Sequence, residues 1–206
     1  MIDVHIIGSG GLAKELISYI IDEASPRYNV VGVWGDEPFN NERYMDYYRG
    51  TIKEASEQLR GAMAFLGIAN PRGKRAVVEQ LGDSVEWITY SHPSAVVSSM
   101  AFIGKGVVIT PQVIVTSDAQ IMDFVFINSG GVVGHDSVVD EYTTLFPNTE
   151  VCGDCVVGKD VIIGIGAYLV PGVVLPDNTK VRAGSIVWKS PERAGTLSGN
   201  PAILVK

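Results

Sequence analysis

The sequence predicts a mainly β chain that opens with an α/β unit: residues 1–90 form a small sheet-and-helix domain, and residues 91–206 form a parallel β-helix. Three observations carry this reading. Strand and helix patterns alternate through the first third, which implies a parallel sheet with helices on its faces. From Val97 to Val187 every sixth residue is Val, Ile or Leu, without an insertion. Two positions before each of these, from Ala95 to Ser185, no residue is larger than Val.

Taken in chain order, Val4 to Ile7 is a short apolar strand that runs into Gly8-Ser9-Gly10-Gly11. Leu12 to Asp22 has helical spacing, with Leu12, Leu16, Ile17, Ile20 and Ile21 on one face. Val30 to Trp34 is a second strand, closed by the turn Gly35-Asp36-Glu37-Pro38. A helix from Ile52 to Leu59, a strand from Ala64 to Ile68, a helix from Pro71 to Leu81 and a strand from Val85 to Ile88 complete the unit. Gly8-x-Gly10-x-x-Ala13 matches the dinucleotide fingerprint after a strand. A full dinucleotide fold needs two βαβαβ halves, and residues 1–90 supply one Rossmann-like half. Such a half can hold one nucleotide's phosphates on backbone N–H groups at a helix start, which marks Gly10 and Gly11. Asp36 follows the second strand, at the sheet edge where ligands bind in these folds.

In the repeat, residues two apart on a strand face the same side, so each hexad sends two side chains inward. A strand and corner of six residues close a triangular coil in eighteen. The hexads make about five coils, stacked to a prism about 25 Å tall. Corners often need positive φ, and the residue after the aliphatic row is frequently Gly or Asn, as at Gly104, Asn128, Gly134, Gly158 and Gly164. These are the expected corner residues.

Composition narrows the function. Apolar residues are 46% and charged residues 19%, a globular balance. Sixteen Lys+Arg against 23 Asp+Glu give a net charge of −7, which argues against nucleic acid or an anionic membrane as partner. No apolar run is long enough to cross a bilayer. The start Met1-Ile2-Asp3 lacks a basic leader, and two cysteines fit a reducing cytoplasm. Cys155, of Cys152-Gly-Asp-Cys155, falls on the small inward row, so the pair reads as core and not as a redox or zinc motif.

There are three histidines. His5 lies within the first strand and reads as a packed strand residue, and His92 reads as structural at the domain junction. His135 alone lies in the repeat, off both inward rows, with Asp136 beside it. An imidazole with a near-neutral pKa suits removal of a proton from an attacking amine or hydroxyl. A neighbouring carboxylate can orient the ring.

The Gly-Ser-Gly-Gly unit, the unbroken hexads, Asn128-Ser-Gly-Gly-Val-Val-Gly-His135-Asp136 and the ending Gly199-Asn200-Pro201-Ala202 together resemble a hexapeptide-repeat sugar acyltransferase group. It is the sialic-acid O-acetyltransferase/UDP-4-amino-sugar N-acetyltransferase group, and the resemblance covers essentially the whole chain. It implies a left-handed parallel β-helix; the periodicity alone does not fix the hand. It also implies acetyl-CoA as co-substrate, a nucleotide-linked amino sugar held by the N-terminal domain, and a homotrimer with active sites between neighbouring prisms. On the matching positions His135 resembles the catalytic base and Asp136 its acidic partner. Asn128 resembles a polar residue lining the same groove. Gly153, one coil of eighteen residues after His135, resembles the residue whose N–H meets the acetyl carbonyl. Ile165 and Ala183 fall at CoA-lining positions, and Gly10, Gly11 and Asp36 at nucleotide-contacting ones. No metal is implied.

The chain departs from the group's pattern in places. Thr144 stands where some N-acetyltransferases have a second His, Leu12 where the loop often has His, and Gly35 where Asp is common. The expected function is acetyl-CoA-dependent N-acetylation of a nucleotide-linked amino sugar, of the 4-amino-4,6-dideoxy type, for surface glycans such as lipopolysaccharide O-antigen. O-acetylation of a sugar such as sialic acid, or a non-catalytic nucleotide-sugar-binding scaffold, are the alternatives. The half-sized α/β domain disfavours a dinucleotide-dependent oxidoreductase.

Overall fold

The structure is a computed structural model, and it describes residues 1–205. The chain divides into two compact units, residues 1–89 and Tyr90 onward.

The first unit has β1 (Ile2–Ile7), α1 (Gly11–Ile21), β2 (Tyr28–Trp34), β3 (Tyr48–Gly50), α2 (Ile52–Gln58), β4 (Ala62–Leu66), α3 (Pro71–Leu81) and β5 (Val85–Trp87). The sheet order is β3-β2-β1-β4-β5, and every pairing is parallel. β1 is central and hydrogen-bonded on both sides, so its Val4, Ile6 and Ile7 are fully buried. α1 lays Leu12, Ala13, Leu16, Ile17 and Ile20 on the core, each Leu or Ile stabilising by about 1.5–3 kcal/mol when fully buried. α2 begins with a reciprocal Thr51–Glu54 capping box. α3 begins at Asn70, whose side chain accepts from the Gly73 N–H, with Pro71 as first helical residue. The chain leaves β1 toward β2 on one side and returns to β4 on the other. This reversal opens a crevice beyond the carboxyl end of β1.

The second unit is the triangular coil. Two-residue strands recur every six residues, from Val96–Val97 to Ile186–Val187. Three sheets of six, five and eight strands form its faces. Partners along each sheet are eighteen residues apart, as Ile114 with Val132 and Val132 with Glu150. The aliphatic row is buried from Ile109 to Val187, and the small row from Val107 to Ser185. Hydroxyls in the small row tie the corners, where the strand ladder is interrupted. Ser137 Oγ donates to the Cys152 carbonyl at 2.8 Å and accepts from the Cys155 N–H at 3.0 Å. Thr143 does the same with Gly158 and Val161. Buried backbone groups that the ladder leaves open are thereby satisfied.

The corner expectation is corrected. Positive φ falls two residues later than the sequence pattern suggests, at Gly106, Gly130, Asp136, Asp160 and Gly166. Glycine stands at 134 and 164 for a different reason. A Cβ at Gly134 would lie 2.5 Å from the Gly153 nitrogen, and one at Gly164 2.6 Å from the Ala183 nitrogen. Close stacking of coils, and not a left-handed turn, excludes a side chain there. Asn128 caps the corner with its side chain, accepting from the Ser129 N–H at 2.7 Å.

Pairing begins one hexad before the aliphatic row, with Tyr90–Ser91 against Val108–Ile109. At the other end Thr196–Gly199 pairs parallel with Lys180–Val181 and folds back antiparallel on Ala202–Val205. Leu197 of this hairpin joins the core. The hairpin covers what would otherwise be an open strand edge.

Candidate active site

Eighteen-residue stacking decides which corner residues meet. His135 lies beneath Gly153, and Asp118, Asp136 and Asp154 share one corner, each with φ near 60°. Asp tolerates this left-handed conformation better than most residues. The Asp154 N–H donates to the His135 carbonyl at 2.9 Å, and the Gly172 N–H to the Gly153 carbonyl at 3.0 Å. This edge of the prism is thus fixed through its backbone.

His135 Nδ1 lies 2.7 Å from Asp136 Oδ2, with both side chains more than half exposed. The hydrogen bond to Asp136 is the main cause raising the imidazole pKa above its usual 6.5, and the charges of Asp136 and Asp154 add to it. Asp136 takes the Nδ1–H, leaving Nε2 as the basic nitrogen. His135, Asp136 and Asp154 offer ligand atoms within 4.8 Å of one another, the one set of three among the described residues that could hold a metal ion. All three residues are exposed.

Gly153 lies against the imidazole: a Cβ there would be 2.6 Å from both Cε1 and Nε2. At the same hexad position on another edge, side-chain oxygens cap the corner N–H groups. Lys105 and Lys159 donate to Asp123 and Asp177, and Glu141 to Asp140. The Gly153 N–H has no acceptor among the described residues. Gly134, lacking a Cβ, leaves it uncovered. An uncapped N–H on a residue that packs against the base can receive a developing oxyanion.

Asn128, Ile165 and Ala183 belong to a different edge. Seven residues separate Asn128 from His135, and one strand intervenes, Val132–Val133. Within one chain Asn128 therefore does not line the His135 groove; its Oδ1 faces Ser129 and Thr110. Ile165 is 55% exposed, and Ala183 lies one coil above it. The face between the two edges presents Val96, Ile114, Val132, Glu150, Tyr168 and Ile186 outward. Thr144 is buried in a strand of another face. His92 bonds Ser94 through Nδ1, and His5 accepts from the Trp34 indole. Cys155 is buried in the core, as its row implied.

In the α/β unit a cleft of about 330 Å³ lies between the Gly-rich loop, Asp36 and the β4–α3 connection. Gly10 has ordinary extended backbone, and a Cβ on Gly10 or Gly11 would meet nothing within 4 Å. Neither strain nor packing calls for glycine here; what the missing side chains leave open is the cleft. Gly35 is different, because a Cβ there would collide with Ser9. Asp36 is exposed, and its Oδ1 accepts from the Ile52 N–H at 3.4 Å. Lys14, in the first turn of α1, donates to Asn40 and flanks an adjoining cleft with Gly10 and Gly11. Lys14, Asn70 and Asp154 were not singled out from sequence. The sequence marks a helix start at Pro71 but does not bring Asn70 to the cleft, and Asp154 gives no local signal, only its distance of eighteen from Asp136.

No family model matches the chain. Over 109 residues it is 34% identical to GDP-perosamine N-acetyltransferase of Escherichia coli O157:H7, covering 52% of this chain and 49% of that protein. Over 113 residues it is 31% identical to UDP-N-acetylbacillosamine N-acetyltransferase of Bacillus subtilis, covering 53% and 51%. The chain thus matches about half the length of these curated relatives. Among solved structures, PerB from Caulobacter crescentus, in complex with CoA and GDP-perosamine, superposes with TM-score 0.86 at 27% identity, over 99% of this chain and 97% of that one. The acetyltransferase domain of PglB from Neisseria gonorrhoeae shares the fold, with TM-score 0.88 at 22% identity over 98% and 99%. No helix among the described residues is long and apolar enough to cross a membrane.

Proposed function

We propose that this chain, similar in sequence and fold to the hexapeptide-repeat sugar acyltransferases, is an acetyl-CoA-dependent N-acetyltransferase of a nucleotide-linked amino sugar. The observation that carries the reading is the dyad: His135 Nδ1 held at 2.7 Å by Asp136, with Gly153, whose N–H is uncapped, packed against the ring. His135 Nε2 takes the proton as the sugar nitrogen attacks the thioester carbonyl. Asp136 keeps the ring in one tautomer and stabilises the imidazolium. The Gly153 N–H donates to the oxyanion. The imidazolium then returns the proton to the departing thiolate, so the reaction needs no covalent enzyme intermediate. Gly10, Gly11 and Asp36 hold the nucleotide, the glycines by letting phosphate oxygens approach backbone N–H groups at the start of α1.

The working form in this reading is a homotrimer. One edge carries His135, Asp136 and Gly153, while Asn128, Ile165 and Ala183 lie on the next, across an outward row that is apolar except for Glu150. Three copies packing this face together bring the His135 edge of one against the Ile165 edge of its neighbour and give CoA a second wall. In this reading the enzyme works in the cytoplasm, where acetyl-CoA and nucleotide sugars are made, and supplies acetylated sugars for surface glycans.

Thiol release from acetyl-CoA is the test, with a panel of UDP-, GDP- and dTDP-linked 4-amino-4,6-dideoxy sugars and free sialic acid. Release with an amino sugar supports the reading. Release with sialic acid alone would establish O-acetylation instead. Sugar binding without release would leave a scaffold. A monomer with full activity in sedimentation at micromolar concentration would sink the trimer.

A further inference from the structure

The dyad has one carboxylate more than a general base needs. Asp136 alone orients His135, at 2.7 Å. Asp154 lies one coil above it, and one of its oxygens comes within 4.8 Å of both an imidazole nitrogen and an Asp136 oxygen. It is exposed and has no ion-pair partner among the described residues. The corner does not call for a charge, since Asn148 and Asn178 fill the same left-handed position at other edges. The other ionisable groups of this region are Asp118, one coil below Asp136, and Glu150 and Cys152, on the strand and corner that lead to Gly153. Apart from the imidazole itself, every one of these is neutral or negative.

An amino group on a sugar is largely protonated near neutral pH, and the hydroxyl at the same carbon is not charged. A pocket holding two carboxylates beside the base attracts the first and is indifferent to the second. We propose that Asp154 recognises the acceptor in its ammonium form and so makes the site prefer an amino sugar to its hydroxyl counterpart. This inference rests on the N-acetyltransferase reading above. The bound ammonium gives one proton to His135 Nε2, which passes it to solvent. The free amine then attacks the thioester, and its second proton travels through the same nitrogen to the thiolate. The sum is ammonium plus acetyl-CoA giving amide, CoA thiol and one released proton.

The test uses Asp154→Asn, which preserves the corner backbone. Rates are measured from pH 6.5 to 9 with the 4-amino-4,6-dideoxy nucleotide sugar that the wild type accepts, and with its 4-hydroxy counterpart as competitive inhibitor. The variant is expected to raise KM for the amine about 2–5-fold, the scale of one solvent-exposed charge pair, with kcat unchanged within experimental scatter and the inhibitor's Ki unchanged. The wild-type KM climbs as the amine loses its proton, and this climb flattens in the variant. KM and Ki rising together would reduce Asp154 to a structural role, and no change in either would overturn the inference outright. A second readout does not need turnover: the His135 titration followed by NMR moves down in Asp154→Asn, and an unmoved titration would show that the carboxylate does not face the dyad. Absence of transfer by the wild type to every amine tested removes the underlying function, whereas wild-type transfer with an unaltered variant removes this inference alone.

Discussion

The imidazole of His135 lies directly against the α-carbon of Gly153, so close that a methyl group there would stand 2.6 Å from Cε1 and Nε2. These residues are a full coil apart in sequence, and only the eighteen-residue period brings them together. The missing side chain of Gly153 makes room for the base, and the missing side chain of Gly134 leaves the Gly153 N–H uncovered. Gly153→Ala is therefore expected to swing the ring aside and to hinder approach to that N–H. Because the ring is exposed and can move, the fold should survive, with a thermal midpoint shifted by no more than a surface substitution shifts it. The kcat should fall by about 100-fold, comparable to losing one oxyanion donor. An unchanged kcat would show that neither the ring position nor the N–H matters.

His135→Ala should lower kcat by about 10²–10⁴, the usual worth of a general base, and barely change thermal stability, since the side chain is more than half exposed. Asp136→Asn should cost less and can keep the left-handed corner. The pH profile gives the sharper test. Asp136 raises the His135 pKa above 6.5, and the base works only when neutral. The acid limb of kcat/KM should therefore lie above pH 6.5 in the wild type and move down in Asp136→Asn. A limb that does not move would mean that another group controls the profile.

The repeat was legible because a prism core has two rows and nothing else to vary: every inward position of the aliphatic row, from Ile109 onward, is buried. The α/β elements were legible for a similar reason, since Leu12, Leu16, Ile17 and Ile20 declare one face of α1. What failed was local. The turn of 3₁₀ helix at Glu42–Tyr47 and the edge strand β3 carry almost no buried apolar residue, and without burial there is no period to read. Corner φ was misplaced because glycine serves two purposes, and close stacking at Gly134 resembles a turn signal. At the site, the His135–Asp136 pair is adjacent in sequence and was visible. The uncapped Gly153 N–H and the neighbouring Asp154 depend on what lies a coil away.

Gly11→Val tests the loop. Since a Cβ there meets nothing within 4 Å, the variant should fold normally, with unchanged circular dichroism and melting. Its side chain would stand in the cleft, against the nucleotide. The expected outcome is a rise of about tenfold or more in KM for the nucleotide sugar, roughly 1.4 kcal/mol of lost binding, with KM for acetyl-CoA unaltered. Equal weakening of both substrates would contradict separate subsites. Unchanged sugar affinity would leave the glycines as a turn and nothing more.

His5 offers a test of how the α/β unit responds to acid. It sits on the central strand, where its Nδ1 accepts the Trp34 indole N–H at 3.1 Å. Burial lowers its pKa below 6.5, the nearby Arg49 lowers it further, and Asp3 works weakly against both. A histidine whose folded pKa is depressed binds protons more readily when unfolded, so unfolding is favoured as protons are added. Its contribution to stability is fully present above the unfolded pKa of about 6.5 and is lost as pH falls from there through the lowered folded value. Above about pH 5 most carboxylates remain ionised, so the window between about 6.5 and 5 isolates the histidine. Urea unfolding of the α/β unit, followed by hydrogen exchange of β1 and β2 amides, should show a midpoint that declines across that window. His5→Gln can still accept the indole hydrogen bond but does not titrate, so its decline should be markedly shallower. Parallel curves for the two proteins would mean that His5 is not the group that senses acid.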